Sequence, residues 1–114
     1  MATTLRGRGT PGQIADLLFE GITRSAISCE LIDRIERKAG NETVILLVFE
    51  KYYMRSQNRA SLSVLITGSD GEVLVDAVGA GGGTGVFLRF SWGTEDDFEQ
   101  SVCDILLRKG FVRL

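Results

Sequence analysis

Between Thr43 and Trp92 the apolar and polar positions follow a period of two. The runs Thr43 to Arg55, Ala60 to Thr67, Glu72 to Ala80 and Val86 to Trp92 read as strands of an antiparallel meander. Leu62, Val64 and Ile66 alternate with Ser61, Ser63 and Leu65, and Val73, Val75 and Ala77 alternate with Glu72, Leu74 and Asp76. Such a pattern gives a sheet with one buried and one wetter face. Thr43 to Phe49 departs from it, because Val44, Leu46 and Val48 are apolar on one face and Ile45, Leu47 and Phe49 on the other. This is the signature of a central strand covered on both sides. Past Phe49 the same strand turns polar and amphipathic, from Glu50 to Arg55.

The pattern changes to helical spacing on both flanks. Ile14, Leu17, Leu18 and Ile22 recur every three or four residues and predict a helix from Thr10 and Pro11 to Ala26, with the Thr10 hydroxyl as cap and Pro11 at the first helical position. Gly21 costs such a helix about 1 kcal/mol relative to alanine, unless the missing side chain admits another element. A second helix is expected from Thr94 to Lys109, on an apolar stripe of Phe98, Val102, Ile105 and Leu106, with Gly110 as its stop and the tail Phe111 to Leu114 tucked back. Thr3 to Gly9 is a short basic segment expected as an edge strand. Ile27 to Ala39 fits either period; strand is preferred, because Gly40-Asn41 follows it as a hairpin signal. The outcome is an α+β domain: a curved antiparallel sheet of about five or six strands, in β-α-β4/5-α order, with two helices packed on one face.

At 114 residues the chain is one domain, residues 1–114, with 44% apolar and 25% charged residues, as in ordinary globular proteins. A formal charge of −2 and a pI near 5.1 argue against nucleic acid and anionic membrane as partners. The longest apolar run, Val44 to Phe49, is too short to span a bilayer, and the default address is the cytoplasm. Cys29 and Cys103 have no CxxC spacing and read as reduced, partly buried thiols. The chain has no histidine. It also lacks a metal-ligand cluster and a nucleophile-and-base set, so no cofactor is expected and an enzymatic role is disfavoured.

The densest polar group is Glu50, Lys51, Tyr52, Tyr53, Arg55 and Arg59. Neighbours on a strand point to opposite faces, so Glu50 and Lys51 cannot act on one atom. A row of such side chains suits anion or partner recognition, and equally suits a solvated sheet face with cross-strand pairs. Residues Gly79 to Gly85 read GAGGGTG. The amides of Gly81, Gly82 and Gly83 could form an anion nest, but the segment leads into a strand and lacks a P-loop ending, so a bulged connection is the plainer reading. Ser91 and Trp92 complete the candidate set for ligand or partner binding. The reading favoured is a non-enzymatic interaction module whose partner is a second copy or another protein, self-associating through the sheet. The alternative is a small-ligand module with a pocket between sheet and helices.

The strings VFEKYYMR from Val48, NRASL from Asn58, and GAGGG followed by FLRFSWGTEDDF from Phe87 resemble a family of small uncharacterised bacterial proteins, mainly from Firmicutes, catalogued as a domain of unknown function. The resemblance implies a bacterial, cytoplasmic, single-domain protein whose recurring polar motifs are those above. It implies no activity.

Overall fold

The computed structural model describes residues 3–25, 28–53, 58–69, 71–81 and 93–114. Their elements are β1 (Thr3–Arg8), α1 (Pro11–Ser25), β2 (Cys29–Ala39), β3 (Glu42–Tyr53), β4 (Asn58–Ser69), β5 (Glu72–Gly81), α2 (Gly93–Arg108) and β6 (Val112–Arg113). The strands form one antiparallel sheet in the order β2-β3-β4-β5-β1-β6, and among the described residues nothing pairs with its outer edges. The strand expected at 86–92 lies outside the described residues.

Local chemistry explains both helices. Gln13 N–H donates to Thr10 Oγ1 at 3.3 Å and Ile14 N–H to the Thr10 carbonyl at 3.1 Å, so the cap forms where the sequence places it. At the far end of α2, Phe111 N–H bonds the Leu106 carbonyl and Gly110 N–H the Leu107 carbonyl, with Gly110 at φ 89°. That pair of bonds is a Schellman stop, which needs a residue comfortable at positive φ. Gly21 admits a neighbour, since a Cβ there would sit 2.5 Å from Ile105 Cδ1 of α2.

Both helices pack on one face of the sheet. Ile14, Ala15, Leu18 and Ile22 of α1 and Val102, Cys103 and Leu106 of α2 meet Ile45, Leu47, Phe49, Leu62, Val64, Ile66, Val73, Val75 and Leu5 in a single core. The strand Thr43 to Phe49 is therefore central but covered by helices only on its Ile45 side. Among the described residues no element packs on the Val44, Leu46 and Val48 side, where those residues remain half-buried.

Besides the one-sided cover of β3, two features depart from the sequence expectation. Thr3–Arg8 is not an edge strand: it lies between β5 and β6, because the tail returns as Val112–Arg113 and pairs with Arg6 and Leu5. Phe111, 4% exposed, lies over Gly7, where the absent side chain makes room for its ring. The other feature is a β-bulge in β2. Leu31 pairs with Phe49 but Asp33 with Val48, so Ile32 is the extra residue. The one-residue shift turns Ile35, which a regular period of two would set on the face of Cys29 and Leu31, to the opposite face beside Leu46. Arg34 and Glu36 take the helix side in its place. There Arg34 donates to Asp16 of α1 at 2.8 Å and to Glu36 at 3.1 Å, and its pKa rises chiefly through the Asp16 hydrogen bond.

Candidate functional site

The sheet face on which no described element packs is laid out in rows by the strand register. Its central row runs Ile35, Leu46, Leu65, Asp76 and Thr4. On one side lies the row Asp33, Val48, Ser63 and Val78, and on the other Arg37, Val44, Thr67 and Leu74. Ile35, Leu65 and Val78 are 36%, 38% and 39% exposed, a high fraction for large aliphatic side chains in a sheet. Asp76 is engaged within the chain, accepting from Thr4 Oγ1 at 2.6 Å.

At one end of this face the structure brings together Glu50, Tyr52 and Arg59. Glu50 and Tyr52 lie on the same side of β3, and Tyr52 pairs with Arg59 on β4. The Arg59 guanidinium donates to Glu50 Oε1 at 2.5 Å and stands 5.7 Å from the Tyr52 ring centroid, over its negative face. The strand end is tied to the preceding turn, because Ser28 Oγ donates to the Tyr52 carbonyl at 2.6 Å and Tyr52 N–H to the Ser28 carbonyl at 3.4 Å. Three members of the polar group are thus bound to one another on the surface. Such a pair with 66% and 33% exposed side chains contributes little stability but holds both groups in a defined orientation.

Lys51 points to the helix side, where its strand neighbours are Cys29 and Ala60. It does not join Glu50, as the strand alternation requires. Burial raises the Cys29 thiol above its ordinary value of 9.0; Lys51 acts to lower it and Glu30 to raise it further. The thiol is therefore neutral near pH 7, the opposite of an activated nucleophile. Both cysteines are buried and neither is part of a disulfide.

Gly81 ends β5 at φ 94°, and a Cβ there would lie 2.7 Å from the Arg59 carbonyl oxygen. Glycine at this position is accounted for by a close backbone approach. Tyr53 is paired along the backbone with Asn58. Arg55, Gly82, Gly83, Ser91 and Trp92 lie outside the described residues. Among the described residues no group of three or more His, Cys, Asp or Glu could hold a metal ion, and no helix is long and apolar enough to cross a membrane.

Sequence reasoning missed two groupings. Ile35 joins the open face only because of the bulge, and no residue type marks that bulge in the sequence. Arg8 and Lys109, 101 positions apart, line the same clefts beside the tail. Only the return of the chain after α2 joins them.

A comparison with curated proteins gave no match. Among solved structures, the crystal structure of TTHA0849 from Thermus thermophilus is similar over 95% of this chain and 91% of that one, at 14% identity and a TM-score of 0.33, a likeness too slight to build on. Residues 1–109, from β1 through α2, match the family described as "Family of unknown function (DUF6054)", and the chain belongs to that family.

Proposed function

We propose that this protein is a non-enzymatic interaction module that pairs with a second copy of itself through the open sheet face. The observation that carries the proposal is the self-complementary layout of that face about the Ile35, Leu46 and Leu65 row. A two-fold axis along this row, between two facing sheets, lays each strand over itself in reverse; it also sets Asp76, at the end of the row, against the partner's Asp76, a like-charge contact that weakens the pairing. Asp33 then meets the partner's Arg37, Val48 the partner's Val44, Ser63 the partner's Thr67 and Val78 the partner's Leu74. Isologous contacts of this kind need one patch that complements itself.

Geometry sets the strength. Three rows on four strands span roughly 20 by 19 Å, about 400 Å² per copy at ordinary strand spacings. That is half of a standard interface, so the association is weak, in the micromolar to millimolar range. The alternative of a ligand pocket between sheet and helices has less support, because that space is filled by side chains at 9% exposure or less. The setting proposed is the bacterial cytoplasm, on the sequence resemblance and on two buried thiols that form no disulfide.

Sedimentation equilibrium over a wide concentration range tests the proposal. A dimer is expected at high concentration, lost in Leu65→Lys, weakened in Asp33→Arg and restored in the Asp33→Arg, Arg37→Asp double variant. A strict monomer at millimolar concentration, or a dimer indifferent to Leu65→Lys, overturns it.

A further inference from the structure

We propose that the cleft between the end of β1, the first half of α1 and the turn after α2 binds a small amphipathic anion: a phosphate or carboxylate head on a short apolar body. The cleft lies where the end of β1 meets α1 and the tail, beyond the four strands β2 to β5 that carry the self-association rows, and has a volume of about 540 Å³. That volume falls within the usual range of small-molecule sites.

Its charges are unevenly committed. Two carboxylates line it, Asp16 and Glu20, and each is held by an arginine: Asp16 by Arg34 at 2.8 Å and Glu20 by Arg24 at 3.1 Å. Two cations line it, Arg8 and Lys109, and neither has an ion-pair partner among the described residues. Both also line an adjoining cleft of about 330 Å³ that adds Arg6 against a single carboxylate, Glu72. The field where the two clefts meet is therefore positive, and a positive concavity with low-dielectric walls concentrates anions.

Independent features fix the rest of the ligand. Gln13 sits in the wall and offers a neutral side-chain amide donor. The lining also includes Ile14, Leu17 and Phe111, of which Ile14 and Phe111 are 6% and 4% exposed and rigidly packed in the core. Leu17 is only half-buried and leaves apolar surface open to the cleft, which a short alkyl or aryl group on the anion covers.

The test is a titration of the isotope-labelled full chain followed by amide chemical shifts. The probes are hexyl phosphate and hexanoate, with inorganic phosphate and hexanol as the two half-ligands. Binding by either amphipathic anion, with shifts centred on Gly9, Gln13, Lys109 and Phe111, is expected, and each half-ligand should bind more weakly by about tenfold or more, the loss that accompanies one charge-assisted contact or one buried alkyl segment. Arg8→Gln and Lys109→Gln, exposed changes whose folding the same spectra report, should each weaken hexyl phosphate by about tenfold. Equal binding of hexanol, equal binding of inorganic phosphate, shifts unaltered by both substitutions, or no localised shift with either anion overturns the proposal. None of these outcomes depends on whether the protein dimerises.

Discussion

Replacing Gly7 with alanine tests how the tail is held. The added Cβ would lie 2.3, 2.4 and 2.4 Å from Cδ1, Cε1 and Cγ of the Phe111 ring. Carbon atoms rest near 3.5–4.0 Å apart, so the ring must retreat by about 1 Å or more. Overpacking of this kind costs about 1–3 kcal/mol. Alanine in a strand gains about 0.5–1 kcal/mol over glycine, which leaves a net loss of about 0–2.5 kcal/mol. Phe111→Ala alone should cost about 3–5 kcal/mol, since the ring is 4% exposed. If the clash with Phe111 is the whole effect, Gly7→Ala becomes neutral or slightly stabilising once Phe111 is alanine. The coupling in that double-mutant cycle is then about 1–3 kcal/mol. Urea unfolding followed by far-UV circular dichroism measures all four proteins, with m-values compared to verify that the cooperative unit is unchanged. A Gly7→Ala cost that is the same in both backgrounds, within about 0.5 kcal/mol, would refute the assignment of Phe111 as the neighbour that excludes a side chain.

Deleting Ile32 should remove the bulge without changing the downstream register, so contacts between Ile35 and Leu46 persist by nuclear Overhauser measurements; contacts between Ile35 and Ile45 would show that the strand slips instead. Stability should be full below about pH 9 and fall as pH rises above it, because the unfolded Cys29 thiol ionises near 9.0 while burial keeps the folded one protonated. Urea midpoints against pH should show a shallower alkaline decline in Cys29→Ala than in the parent. Asp16→Asn should cost no more than about 1 kcal/mol, with the difference shrinking in high salt, since Arg34 and Asp16 are 29% and 74% exposed at the side chain. A larger or salt-insensitive loss would mean that this pair anchors α1 to β2 more firmly than a surface contact can.

Whatever rests on neighbours within a few residues was legible in the chain itself. The Thr10-Pro11 start, the Gly110 stop, the hairpin at Gly40-Asn41 and the period-two strands are set by backbone preferences and by the spacing of apolar side chains, and these act locally. The strand identity of Cys29–Ala39 could be decided because the hairpin signal sits directly beside it. Tertiary structure alone decided which apolar face of β3 the helices cover, because alternation marks two faces without saying which one meets a partner. It also decided the place of β1, which depends on a tail more than 100 residues later returning to Leu5 and Arg6. The bulge at Ile32 escaped the pattern because one unpaired residue changes the face of everything after it while leaving the composition untouched. Of the candidate residues, Glu50, Tyr52 and Arg59 meet because β3 and β4 pair at that register, whereas Lys51 faces the helices by strand alternation. Arg8 and Lys109 carried no signal of their own: charges so far apart in sequence become one site only where the chain closes on itself.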